Sequence, residues 1–156
     1  MSPIKVEEGI EIVGAPWTSK RPNQDLVASA TAPLASATDT LRICVAHEIV
    51  DTLSPDPDDP ALISLKEAEE ALAQNKIHYL ALGDRHSVTE VGDSGFIWYA
   101  GAPESTDYDE LKPGLALIST INQDGVTTKE VQVGSWTFIE RKQIDLNTTE
   151  DVDLLR

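Results

Sequence analysis

Hydrophobic and polar positions follow one pattern up to about residue 86 and another after it. In the first part, short apolar runs alternate with helix-like stretches. Gly9 to Gly14 reads as a short strand, closed by Gly14 and Pro16. From Asp25 the alanine-rich stretch through Ala37 predicts a weak helix broken at Pro33, because proline lacks the amide donor and crowds the preceding turn. Leu41 to Ala46 is aliphatic and β-branched, and predicts a second strand that reaches His47. Residues 51–60 hold three prolines and four aspartates. That composition excludes a helix or an interior strand and predicts a surface loop. Ser64 then opens the best helix of the chain. Glu67 stands three residues on, as in a capping box, and Leu65, Ala68 and Leu72 form a narrow apolar stripe. Asn75 is its expected left-handed stop. Ile77 to Leu82 is apolar on both alternating faces apart from His78, as in a strand of a parallel, helix-covered sheet. Strand, helix and strand from 41 to 82 make a βαβ unit with a right-handed crossover.

After His86 the pattern becomes purely β. Val88 to Val91, a turn at Gly92 to Gly95 and Phe96 to Ala100 predict one hairpin. Leu115 to Ile121, a turn at Asn122 to Gly125 and Val126 to Val133 predict another, and Trp136 to Leu146 a further strand. The polar, acidic Asn147 to Arg156 reads as a flexible tail. The expectation is an α/β (α+β) fold: one domain over 1–146, a βαβ unit followed by antiparallel hairpins, and a tail over 147–156. A length of 156 residues suits one domain with a proper core.

Charge narrows the functional classes. There are 27 acidic residues against 12 basic ones, a formal net charge of −15. Such a surface repels phosphate backbones, since non-specific nucleic-acid affinity comes from Lys and Arg neutralising phosphates. A simple nucleic-acid-binding module is therefore disfavoured, while solubility alone would also account for the charge. The single cysteine, Cys44, cannot form an internal disulfide and sits in the apolar pattern of a buried strand, so an inert buried thiol is expected. No apolar run reaches the roughly 20 residues of a membrane span, and residues 1–8 lack a signal-peptide core. A cytoplasmic protein with no membrane partner is expected.

Two predicted strands end in possible metal ligands. The first stops at Ala46-His47 and the second at Gly83-Asp84-Arg85-His86. If they run parallel, their C-terminal ends share one edge of the sheet, where open α/β sheets place their chemistry. Imidazole and carboxylate together suit Mn, Fe or Zn. Gly83 is expected to let the chain turn sharply beside an ion. Arg85 is a candidate contact to a substrate phosphate, or a solvent-facing or ion-paired arginine. His78, at its strand's start, reads as packed or solvent-facing, and Trp17, Trp98 and Trp136 as core or edge packing. Glu104, Asp107, Asp109 and Glu110 read as a solvated acidic loop, with shaping of a substrate entrance as the alternative.

Ala46-His47, the βαβ segment, and Tyr79-Leu80-Ala81-Leu82-Gly83-Asp84-Arg85-His86 resemble the calcineurin-like metallophosphoesterases. More closely they are similar to the SbcD-type DNA repair exonucleases, in which a histidine precedes an A-L-G-H-x-H motif. The family's Y-x-G-S/A-P-E-x-T-D loop is matched by Tyr99-Ala100-Gly101-Ala102-Pro103-Glu104-Ser105-Thr106-Asp107. The resemblance runs from about residue 6 to about 140. It implies the C-terminal half of a four-layer αββα sandwich, with His47 and Asp84 on one ion of a two-metal centre and His86 on the other. Manganese is the implied metal. Asp84 stands where the family has histidine, and Glu48 replaces its usual glycine. The family's G-D-x-x-D and G-N-H motifs are absent from this sequence, and its one D-x-H triplet is Asp84-Arg85-His86, within the motif already described rather than ahead of it. Two-metal hydrolysis needs both ions, so the resemblance implies a fragment of a phosphodiesterase hydrolase that is inactive alone. DNA would be reached only through the complete domain. The alternatives are a non-catalytic interaction protein that binds an ABC-type coiled-coil ATPase, and a small-molecule phosphodiesterase. Exposed sheet faces in such a half domain predict self-association.

Overall fold

The computed structural model describes residues 2–17, 19, 22–108, 110–122 and 125–138. The predicted continuation of a strand through Leu146 and the tail over 147–156 lie outside the described residues, and 133–138 carries no strand. The described chain is mixed α/β, with a mixed sheet of six strands, a separate two-stranded hairpin and few helices.

The strands are β1 (Ile4–Glu7), β2 (Ile10–Ala15), β3 (Leu41–His47), β4 (Tyr79–Gly83), β5 (Thr89–Glu90) and β6 (Ile97–Tyr99), in the order β1-β2-β3-β4-β6-β5. β2, β3, β4 and β6 are parallel neighbours, and β1 and β5 close the two edges antiparallel. The expected βαβ unit is present. The first predicted hairpin does more than expected: β6 pairs with β5 and also extends the parallel sheet beside β4. Its end residues Ile97 and Tyr99 are buried and can stand in the interior of a sheet, a position that the turn signal between two short runs does not reveal. β1 has no counterpart in the hydropathy pattern, because all four of its residues are exposed. A register irregularity between Lys5 and Glu7 interrupts it, a feature that blunts an open edge.

One face of the sheet carries the core. Val13, Cys44, Leu80 and Ile97 lie in one row across the parallel strands, and Ala15, Ala46, Leu82 and Tyr99 in the next. Helices α1 (Leu26–Thr31) and α2 (Leu65–Ala73) touch each other, and α1 packs on β2 and β3. Val27, Ala30, Ala68 and Ala71 join the core, while Leu65 and Leu72 pack at its margin. α2 therefore buries its alanines most deeply, the small side chains that let a helix approach a sheet. The core thiol of Cys44 is pushed up to about 12, first by burial and then by the charge of Asp25. It is an inert thiol, as expected.

Asp25 ties the two helix starts together. Its side chain accepts a hydrogen bond from the Ala28 amide at 2.9 Å and another from the Ser64 amide at 2.8 Å. The expected capping box at Ser64 is thereby half made. Ser64 Oγ accepts from the Glu67 amide, but the reciprocal acceptor is Asp25 and not Glu67. Asn75 ends the helix at φ 52°, as predicted. The proline–aspartate stretch runs over the surface, pinned where Val50 bridges Ile63, but its first residues, Asp51–Leu53, form a 3-10 turn ahead of the first proline, which corrects the exclusion of any helix there.

The opposite face holds Ile12, Ile43 and Tyr79 in one row and Val45, Ala81 and Trp98 in the next. The hairpin of β7 (Leu115–Asn122) and β8 (Gly125–Gln132) meets this face where Tyr79 Oη and Ser119 Oγ lie 2.8 Å apart. Val45 stays 45% exposed, so the hairpin does not seal the face. Trp136 is exposed, which corrects its assignment to packing, while Trp17 is partly exposed at the edge of the sheet's C-terminal end. Trp98 is half-buried and donates its indole N–H to the Gly95 carbonyl.

Candidate metal centre

β3 and β4 pair in parallel with His47 opposite Gly83, so both strands end together at the C-terminal edge. His47 Nε2 and Asp84 Oδ1 stand 3.7 Å apart, and both side chains are solvent-accessible. The sequence rationale for Gly83 needs correction. The residue that turns left-handed is Asp84, at φ 92°. Gly83 is required for space, because a Cβ there would sit 2.6 Å from His47 Nδ1. Trp17 packs edge-on against the His47 ring, with centroids 5.5 Å apart. A non-glycine residue at positive φ costs energy that the surrounding fold must hold in place, and such outliers concentrate at functional sites.

The chain just after His47 is anchored from below. Tyr99 Oη donates to the Glu48 carbonyl at 2.8 Å and accepts from the Val50 amide at 2.9 Å. Burial pushes the Tyr99 phenol up to about 12, so it remains a neutral hydrogen-bonding post. Glu48 turns its own carboxylate onto the Ile49 amide.

His86 does not join His47 and Asp84. Its Nδ1 lies 2.6 Å from Thr106 Oγ1 and 3.6 Å from Glu110 Oε1. Thr106 hydrogen-bonds Glu110 with both its hydroxyl and its amide. The hydroxyl bond is the main reason the Glu110 carboxyl is held below its usual range, with the amide bond and His86 adding to it. The Glu110 side chain is almost fully covered, and Glu104 accepts from the amides of Ser135 and Trp136. These two carboxylates are structural clamps, which corrects the reading of a solvated loop. Arg85 donates Nε to Thr89 Oγ1 at 2.8 Å, within its own loop. His78 Nδ1 accepts the Arg42 amide at 2.9 Å, a packed structural role.

Among the described residues no three His, Cys, Asp or Glu side chains converge on a point that could hold a metal ion. His47 and Asp84 suit two positions of one coordination sphere, since a nitrogen and a carboxylate oxygen are both acceptable to Mn, Fe or Zn. They do not complete it. Sequence reading missed Trp17, Thr106 and the clamping role of Glu110, because each reaches its histidine across at least 20 residues of chain. Two of them carried a signal: Glu110 as part of the acidic run, and Thr106 as a position of the Tyr99 to Asp107 loop.

The described residues define a mixed α/β protein with a histidine–aspartate pair at the C-terminal edge of its parallel strands. No protein-family model matches the chain, and no curated protein matches it. No helix among the described residues is long and apolar enough to cross a membrane.

Proposed function

We propose that this chain supplies one corner of a two-metal phosphodiesterase, the C-terminal half of a four-layer metallophosphoesterase sandwich, and is inactive alone. The observation that carries the reading is the pair His47 and Asp84, 3.7 Å apart at the shared end of two parallel strands. Three local features keep that pair in place: the absent Cβ of Gly83, the left-handed Asp84 and the indole of Trp17. The remaining ligands of both ions would come from polypeptide carrying the G-D-x-x-D and G-N-H motifs that this sequence lacks. No reaction step is assigned to this chain, because two donors do not hold a two-metal centre. With a net charge of −15, contacts to a DNA backbone would also come from that other polypeptide.

Calorimetric titration with MnCl2 tests this, using the wild type, His47→Ala, Asp84→Asn and His86→Ala, with bis(p-nitrophenyl) phosphate as a turnover probe. The expected result is weak binding of one ion. His47→Ala and Asp84→Asn should each lower the affinity about tenfold or more, His86→Ala should change it little, and no turnover should occur. Affinity indifferent to both His47 and Asp84 would overturn the site. Manganese-dependent turnover by the wild-type chain would overturn its incompleteness.

A further inference from the structure

We infer that a cleft at the amino-terminal edge of the parallel sheet binds a small organic amine that also carries a hydrogen-bond acceptor. The cleft has a volume of about 960 Å³ and lies between the starts of β3 and β4, the end of α2 and the tip of the β7–β8 hairpin. That is the size of a small-molecule site, which needs a mostly apolar wall and a few polar groups. Leu41, Leu72, Ile77 and Phe96 supply the apolar wall. The length of β3 separates Leu41 from His47, about 20 Å at roughly 3.3 Å per residue, so the cleft stands independently of the proposed metal site.

One donor of the cleft has its tautomer fixed by the backbone. His78, a lining residue, accepts the Arg42 amide on Nδ1 at 2.9 Å, and its own amide donates to the Arg42 carbonyl at 2.8 Å. With Nδ1 occupied as an acceptor, the ring proton resides on Nε2, which is therefore a donor. Among the described residues Nε2 has no hydrogen-bond partner. A half-buried donor without a partner gains from any acceptor that a ligand brings to it.

Charge selects the class of ligand. Asp39 and Glu69 line the cleft, and neither carboxylate has a hydrogen bond or ion pair among the described residues. No lysine or arginine lines it. Arg42 and Lys76, which adjoin lining residues in the sequence, are engaged elsewhere. Arg42 pairs with Glu11 at 2.7 Å and donates to the Ala35 carbonyl, and Lys76 reaches the Ala32 carbonyl at 3.5 Å. A phosphate or carboxylate ligand would enter with no counter-charge and face two like charges. An ammonium group instead meets two unpaired carboxylates, an oxygen on the same molecule accepts from His78 Nε2, and the apolar body covers the wall.

The test titrates the isotope-labelled chain with tyramine at physiological salt and follows the amide resonances by NMR. Tyramine joins an aromatic ring to an ammonium group and a phenolic oxygen. Saturable shifts are expected, with a dissociation constant of about 1 mM or tighter, confined to 37–41, 72–78, 94–96 and the hairpin tip at 121–125. The net charge of −15 draws any amine loosely to the surface, so controls separate the cleft from that background. The double variant Asp39→Asn, Glu69→Gln should weaken binding about fivefold or more, at an unchanged melting temperature because neither carboxylate holds another residue. Phenethylamine, of equal charge but without the oxygen, should bind at least about twofold more weakly. Hydroxyphenylpropanoate, the same skeleton ending in a carboxylate, should not bind. Shifts that do not saturate or that fall outside those segments would overturn the proposal. So would affinity untouched by the double variant, equal affinity for tyramine and phenethylamine, or binding of the propanoate.

Discussion

Replacing Tyr99 by phenylalanine isolates the contribution of one hydroxyl to the site's foundation. The ring fills the same core position, so the change leaves no cavity and removes only two hydrogen bonds, to the Glu48 carbonyl and from the Val50 amide. Their fates differ. Val50 is 1% exposed, so its N–H cannot turn to water, and an orphaned buried donor costs about 1–3 kcal/mol. Glu48 is half-buried, so its carbonyl recovers part of its hydration and the loss there is about 0.5–1.5 kcal/mol. The sum is about 2–4 kcal/mol. With a urea dependence of about 2 kcal/mol per molar, the unfolding midpoint should fall by about 1–2 M at unchanged slope. Equilibrium urea unfolding followed by circular dichroism measures it. A loss smaller than about 0.5 kcal/mol would show that the 48–50 segment does not depend on Tyr99, and the account of how His47 is positioned would fail.

Asp84→Gly should raise stability by about 0.5–1 kcal/mol by removing the positive-φ penalty, and should weaken manganese binding. A loss of stability in urea unfolding would mean that Asp84 is not strained. Gly83→Ala should push the His47 ring aside, because the new Cβ would lie 2.6 Å from Nδ1, with a loss of about 1–3 kcal/mol and a shifted His47 imidazole resonance. An unmoved resonance would count against the steric argument. The core thiol and phenol set the alkaline limit. Both hold their protons more tightly folded than unfolded, so the stability they contribute is complete below pH 9 and is lost as pH rises from 9.0 towards about 12 for Cys44 and from 10.0 towards about 12 for Tyr99. Urea midpoints measured across that range should fall less steeply in Cys44→Ala than in the wild type, and identical slopes would contradict the burial.

The elements that were legible share a local cause. Ser64, Asn75 and the prolines of 51–60 act within a few bonds of where they stand, so their capping and loop-forming roles show directly in the order of residues. The continuous apolar run of β4 announced an interior parallel strand, and from it followed the shared edge of His47 and Asp84. The second face, however, carries a hairpin and an exposed Val45 where helix cover was expected. β1 escaped notice because an exposed edge strand needs no hydropathy pattern; its pairing with β2 alone makes it a strand. The doubled role of β6 escaped for a similar reason. A hairpin signal says which strand follows which, and only packing decides what lies on the second strand's other side.

The sequence by itself determined a parallel βαβ unit, its buried thiol and the strand ends that carry His47, Asp84 and His86. Those features depend on periodicity and on the chirality of the crossover, which are local physics. The tertiary structure alone decided which of the three side chains meet. It set Asp84 beside His47 and turned His86 to Thr106 and Glu110, because loops from distant parts of the chain compete for the same imidazole. It also decided that Gly83 serves by what it lacks. The room His47 needs is a property of two adjacent strands, and no single strand encodes it.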